Sequence, residues 1–393
     1  MERIGIYGGS FNPPHIGHVQ AARQAAAKLG LTKLLMIPAH TAPHKQMPAD
    51  SPTALQRLEM LQLAMGEDPV ISVSDMEIQR SDVSFTYETV QALRQQYPHA
   101  ELILLMGTDM FLSFEQWKNA AQILQNASLG VFYRGTPGEK KAIEAQKEKL
   151  EGLGAAVSLL DNPVVDISST QLRRMLVFGC ADEFLPAGVA DYIRRNGLYG
   201  TGRDYRNLPE EELQRVVCSL LKPNRVAHVL GCRQACVELA KRWGANETDA
   251  ARAGLLHDVT KALDGPLQLT LCRSYGVVLD DFSRRYPKTL HALTGSLVAE
   301  RIFGENEAVV SAICSHTTGK AGMNLLETIL YVADYMAAKR DFAGVEELRY
   351  LTTVDMNKAL QRGLEMTLEH LARQGAEVSK ESREALEYLR SKV

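Results

Sequence analysis

The sequence predicts an α/β domain built on a parallel sheet, followed by an all-α domain. Three observations carry that expectation. Up to about residue 200, short apolar runs alternate with amphipathic helical patterns, as in successive βα units. After Tyr199 a polar, glycine-bearing stretch, Gly200-Thr-Gly-Arg-Asp-Tyr-Arg-Asn207, leads to Pro209-Glu-Glu-Glu212 and a long series of helical patterns without strand alternation. The length, 393 residues, exceeds one ordinary core. The expected domains are residues 1–202 and 203–393.

Strands are expected over residues 3–7, 33–38, 70–74, 101–106, 129–133 and 156–160, each an apolar run of strand length. Between them the helices carry their own punctuation. One is expected from about His18 to Leu29, stopped by Gly30. Another is expected with Ser51 as its cap and Pro52 in its first turn, stopping near Gly66. The charged stretch from Ser379 onward reads as a solvated helix.

Hydrophobic residues make up 45% and charged residues 23%, the balance of a globular chain with a sizeable core. The formal charge of −3 offers no basic excess for nucleic acid or for an anionic membrane surface. Six cysteines stand without CxxC pairs, which predicts reduced packing residues and a cytoplasmic setting. A strand begins almost at once, and no stretch approaches eighteen apolar residues, so neither a secretory signal nor a membrane span is expected.

The first chemical signal is Gly8-Gly9-Ser10-Phe11-Asn-Pro-Pro-His15-Ile-Gly-His18, between the first strand and the first helix. The glycines let the backbone turn sharply and approach a ligand. The helix start beyond them offers N–H groups and a positive dipole end to phosphate. His15 and His18 can both point out of the carboxyl edge of the sheet. Neither a P-loop nor GxGxxG is present, which argues against kinase and dehydrogenase cradles. Paired histidines without an acidic cluster suit attack by a phosphate oxygen on an α-phosphorus, because an anionic nucleophile needs no general base. A bland alternative is that the two rings merely start a helix.

This string resembles the signature of the HxGH nucleotidyltransferases, and of bacterial nicotinate-nucleotide adenylyltransferase in particular, over about the first 200 residues. Ile167-Ser168-Ser169-Thr170-Gln-Leu-Arg173 is similar to that superfamily's second motif, in which Ser168, Ser169, Thr170 and Arg173 would face ATP phosphates along with Gly8, Gly9, Ser10, Phe11 and His18. Taken alone it reads as a helix cap, with Ser168 or Ser169 as the capping residue. Ala42-Pro43-His44-Lys45 resembles the family's Pro-Pro-His-Lys loop, with Lys45 as a phosphate ligand. Ser84-Phe85-Thr86-Tyr87, Met106-Gly107-Thr108-Asp109 and Trp117 resemble its mononucleotide-binding segments, which implies roles for Thr86, Asp109 and a Trp117 indole stacked on pyridine. Thr86 and Asp109 would otherwise be helix caps and Trp117 core. The resemblance implies a Rossmann-like nucleotidyltransferase fold, ATP and nicotinate mononucleotide as substrates, Mg²⁺ with the ATP, and catalytic roles for His15, His18, Lys45 and Arg173. Trp117 and Lys45 disfavour the alternative of a pantetheine-phosphate adenylyltransferase.

In the second half, His228, His257-Asp258, His291, His316 and Asp334 recur at helix-scale separations. Imidazoles with carboxylates suit iron, manganese or zinc, and such a set can converge in a bundle core. Spacing alone is weak, since a buried histidine is more often a structural one. Ala253-Gly-Leu-Leu-His257-Asp258-Val-Thr-Lys261 puts the pair in an apolar helical pattern. Ile313-Cys-Ser-His316-Thr-Thr-Gly319 ends another, and Ile329-Leu-Tyr-Val-Ala-Asp334 buries a carboxylate in a third. These segments resemble the HD phosphohydrolases, and the branch that splits diadenosine tetraphosphate symmetrically, over roughly residues 207–390. That resemblance implies iron or another transition metal, one or two ions, held by the six residues, with Asp258 and Lys261 in catalytic roles. Thr317 stands where many two-metal members carry a second histidine, which leaves the second ion open. A regulatory module that binds a nucleotide without hydrolysing it is the alternative.

Overall fold

The computed structural model describes residues 2–41, 48, 51–80, 83–133, 137–161, 167–337 and 344–392. The chain divides into two compact units, Met1–Gly202 and Arg203–Val393.

The first unit is the expected α/β domain. Its strands are β1 (Arg3–Gly9), β2 (Lys33–Pro38), β3 (Ile71–Val73), β4 (Glu101–Gly107), β5 (Ser128–Tyr133) and β6 (Val157–Asp161). They form one parallel sheet in the order β3-β2-β1-β4-β5-β6. Parallel strands are covered on both faces, so they need continuous apolar runs; β4 meets this with five successive buried residues, Leu102–Met106. The order reverses between β1 and β4, which pair with Tyr7 opposite Leu105. Ligands of open α/β sheets bind outside the carboxyl ends of strands at such a reversal. Here those ends are Gly8-Gly9 and Gly107.

Several helix starts differ from expectation. The first helix is Ile16–Lys28, with His15 at its cap position, so His18 sits inside its first turn. The helix Ala54–Met65 is capped by Thr53, whose Oγ1 accepts from the Gln56 N–H at 3.2 Å while the Gln56 side chain accepts from the Thr53 N–H at 2.9 Å. This reciprocal box displaces Ser51 from the role of cap, and the Ser51 hydroxyl instead accepts from Asn12 Nδ2 at 3.1 Å. Thr86 is the first residue of the helix Thr86–Gln96, and Asp109 lies within the short helix Thr108–Leu112, so neither is a cap. Ser168 does cap Ser169–Val177, accepting from the Gln171 N–H.

The second unit is helical throughout its described residues. Pro223–Trp243, Glu247–Leu256, Glu307–Ser315 and the strongly apolar Leu325–Met336 pack on one another around a core that includes Leu255, Ile313, Ile329 and Val332, all fully buried. The helix Lys380–Arg390 is not merely solvated: Ser382, Ala385 and Leu386 are buried, and the Ser382 hydroxyl donates to the Thr318 carbonyl at 2.7 Å. Among the described residues no helix is long and apolar enough to cross a membrane. The cysteines are all free thiols; Cys180, Cys232, Cys236 and Cys272 are buried, whereas Cys314 is exposed and so does not serve packing.

Candidate active sites

In the first unit two cavities open along the carboxyl edge of the sheet. The smaller, about 290 Å³, has walls that include Gly9, Ser84, Phe85, Thr86, Trp117 and Lys118. The larger, about 700 Å³, has walls that include Asn12, His15, Asp109, Ser168, Thr170 and Arg173. Tyr7, Ser10, His18, Gly107, Met110 and Ser169 belong to both, so the cavities meet at His18. Two ligands held side by side there would face one another across that ring.

The histidines are held by local geometry. The His15 N–H donates to His18 Nδ1 at 3.2 Å, and the two rings lie 3.7 Å apart between centroids. Because His18 Nδ1 accepts, its proton sits on Nε2, which makes that nitrogen a donor. Burial lowers His15 to about 4, so its ring is neutral at ordinary pH, and its buried Nδ1 makes no hydrogen bond. Arg173 reaches over from its helix and donates to the Asn12 carbonyl at 2.8 Å, while the Ser169 hydroxyl donates to the Pro13 carbonyl at 3.2 Å. The two motifs read in sequence therefore face each other across 150 or so intervening residues, as those partners are 161 and 156 positions apart.

The residues assigned to the mononucleotide divide. Thr86 and Trp117 line the smaller cavity, where Trp117 is only partly buried and packs its ring 5.4 Å from Phe114. Asp109 stands exposed on the wall of the larger one. Lys45 lies outside the described residues. Residues not singled out in sequence complete the smaller cavity: Glu77, buried and accepting from the Thr89 hydroxyl at 2.6 Å, and Lys118, whose Nζ sits 4.0 Å from the Phe85 ring. Burial pushes the Glu77 carboxyl up from its ordinary value.

In the second unit all six singled-out residues converge. His228 comes from inside Pro223–Trp243 and Asp334 from inside Leu325–Met336. His257 and His316 sit at the C-terminal caps of their helices, and His291 opens His291–Arg301. The helix before the His-Asp pair ends at Leu256, so Asp258 lies in a turn and not on the helix. That fully buried carboxylate is central. Its Oδ2 lies 3.5 Å from His257 Nε2 and 3.9 Å from His228 Nε2. Its Oδ1 lies 3.5 Å from His291 Nε2 and 3.9 Å from His316 Nε2. Asp334 Oδ1 adds a contact of 2.9 Å to His228 Nε2.

The donor chemistry fits a cation. Nδ1 of His257, His291 and His316 each contacts a backbone carbonyl, at 2.8, 2.8 and 2.6 Å, which puts the proton there and turns the Nε2 lone pair inward. Burial lowers His291 to about 3 and His316 to about 4, which keeps both neutral. Asp258 Oδ1 is buried without a hydrogen bond. Two groups, His228–His257–Asp258 and Asp258–His291–His316, each bring their ligand atoms within 4.8 Å. Burial alone would lower His257, but Cys232, Asp258 and Asp334 outweigh it and push the ring up to about 10, so its Nε2 carries a proton that a bound cation would displace. Arg225, not singled out in sequence, ion-pairs with Asp258, and Lys261 Nζ stands 2.8 Å from His291 Nε2. A cavity of about 610 Å³ opens beside the centre, with Lys261, Arg362, His370 and Arg373 on its walls.

Residues 6–175 match the cytidylyltransferase-like family, and residues 225–339 match the HD domain. A protein of Neisseria meningitidis named "probable nicotinate-nucleotide adenylyltransferase" is 37% identical over 205 residues, covering 51% of this chain and 99% of its own length. The chain belongs to the nicotinate-nucleotide adenylyltransferase family through its first half. A second member, from Herpetosiphon aurantiacus, is 36% identical over 200 residues, with 51% and 99% covered. A crystal structure from Clostridium acetobutylicum described as a "predicted HD superfamily hydrolase involved in NAD metabolism" is 34% identical and covers 47% of this chain and 99% of that one, with a TM-score of 0.46. The cytidylyltransferase-like match thus spans the residues that line the two cavities, and the HD match spans all six converging residues, from His228 to Asp334.

Proposed function

We propose that the first half transfers an adenylyl group from ATP to nicotinate mononucleotide, giving nicotinate adenine dinucleotide and pyrophosphate, and that the second half hydrolyses diadenosine tetraphosphate to two ADP. The observation that carries the first assignment is His18, a fixed Nε2–H donor at the junction of two adjoining cavities. Nicotinate mononucleotide would take the Trp117–Thr86 cavity and ATP the larger one, its phosphates against Ser168, Thr170 and Arg173. The mononucleotide phosphate is already an anion, so the chain needs only to align it with the α-phosphorus and to donate hydrogen bonds as charge develops. His15 and His18 supply this, with Mg²⁺ accompanying the ATP and Lys45 reading phosphate. Asp109, on the ATP-side wall, is proposed to meet the ribose end of either substrate near the junction.

For the second half, the carrying observation is the convergence of six donors with their imidazole lone pairs turned inward. His228, His257, Asp258 and Asp334 would hold one transition-metal ion, most simply iron, and Asp258, His291 and His316 a second. A bound ion supplies Lewis-acid charge to a phosphate chain and acidifies water. Lys261, Arg362 and Arg373 on the adjoining cavity walls suit a polyanion. The test is to incubate the full chain with each substrate pair and separate the products. Nicotinate adenine dinucleotide from the first, and two ADP from diadenosine tetraphosphate, are expected. AMP and ATP in equal amounts would refute symmetric cleavage, and tight nucleotide binding with no turnover would favour a sensing module.

A further inference from the structure

Arg57 lies on the helix Ala54–Met65, within its first turn, and is 1% exposed. Its guanidinium spans three carbonyls: Nη1 donates to Ser10 at 2.8 Å, and Nη2 donates to Ala39 at 2.7 Å and to His40 at 2.9 Å. Nε makes no hydrogen bond. Among the described residues no carboxylate comes within ion-pair distance of it. Burial lowers its pKa, opposed by the Tyr199 phenol, but arginine starts so high that it stays charged. Among the described residues Arg57 is therefore a buried cation without an acidic partner, an arrangement that is unfavourable unless something nearby balances it.

Two of its three acceptors belong to cavity walls. Ser10 continues from β1 and belongs to both cavities, while Ala39 continues from β2 and lines the smaller one. The backbones stay paired as far as the Ala39 N–H donating to Gly9 at 2.9 Å. Beyond that point Arg57 joins them. His40 then passes the constraint on: its N–H donates to the Ser84 hydroxyl at 3.0 Å, next to Phe85 and Thr86 in the wall of the smaller cavity. A planar fork can fix both strand ends in one geometry, which a lysine cannot do.

We propose that Arg57 is a positioning residue for adenylyl transfer: its fork fixes the Ser10 and Ala39–His40 walls relative to each other, and its unbalanced charge is matched to the phosphates of the substrates. The inference rests on the adenylyltransferase reading. It is tested on the full chain with Arg57→Lys and Arg57→Met, measuring kcat and KM for both substrates and the rise in Tm produced by ATP. Arg57→Lys is expected to keep the ATP-induced rise, because it keeps the charge, while kcat falls about tenfold because the fork is lost. Arg57→Met is expected to lose both. Kinetics within twofold of wild type in folded Arg57→Lys and Arg57→Met would overturn the proposal. So would an Arg57→Lys protein that is only less heat-stable at unchanged kcat, and this variant decides the matter where Arg57→Met does not fold. A wild-type chain that makes no nicotinate adenine dinucleotide would instead sink the parent reading.

Discussion

The two halves use histidine in opposite ways, and the difference lies in what surrounds the ring. In the first half His15 and His18 lie with their ring centroids 3.7 Å apart at the switch point of the sheet, and His18 is held as a hydrogen-bond donor. In the second, four imidazoles surround Asp258 and Asp334, and three of them spend their Nδ1 on backbone carbonyls so that Nε2 faces inward as a lone pair. A ring that presents N–H suits phosphate oxygen; a ring that presents a lone pair beside carboxylates suits a cation.

The separation can be broken most severely at Asp258. Asp258→Ala removes the carboxylate that both histidine groups share, and it is expected to reduce diadenosine tetraphosphate hydrolysis to the uncatalysed background while dinucleotide synthesis stays within about twofold, as separate sites are energetically additive. Measuring both rates on one preparation checks it. His18→Ala is the mirror experiment, expected to lower kcat for synthesis about a hundredfold with hydrolysis intact. Smaller still is Trp117→Ala, for which the KM of the mononucleotide should rise about tenfold and that of ATP hardly at all. Equal changes in both would make Trp117 a packing residue of its Phe114 contact.

The smallest effect is a pH dependence. Folded His15 titrates near 4, against 6.5 for an ordinary histidine. As pH falls from about 6.5 towards 4 the unfolded ring takes up a proton that the folded ring refuses, so the neutral ring's contribution is complete above 6.5 and is lost through this window, at about 1.4 kcal/mol per pH unit at most. Urea midpoints of wild type and His15→Gln, compared at pH 7.5 and 5.0, should show the wild type losing more stability on acidification. Equal losses would mean the ring is not buried as neutral imidazole.

Much of the fold was legible because parallel strands write themselves as continuous apolar runs: every expected strand is present, with ends shifted by at most two residues. Helix starts were read less well. Ser51 precedes a proline, which predicts it as the cap, yet Thr53-x-x-Gln56 carries the capping-box signature, as does Ser168-x-x-Gln171, and that signal decides the start. The glycine-rich string and Ile167–Arg173 could be recognised because each is a short contiguous unit. Convergence of the six donors of the helical half could not be derived from spacing, since residues spread from His228 to Asp334 meet only through tertiary packing. Arg57, Glu77 and Arg225 left no sequence signal: an arginine or glutamate in a helical or turn pattern reads as solvated until packing buries it.

Metal content measured on full-length wild type, His18→Ala and Asp258→Ala, after identical purification and dialysis, tests the division between the two sites most directly. One or two transition-metal ions per chain are expected in wild type and in His18→Ala, with Asp258→Ala reduced to trace levels. Metal that survives in Asp258→Ala, or leaves in His18→Ala, would contradict the assignment of the cation to the helical half.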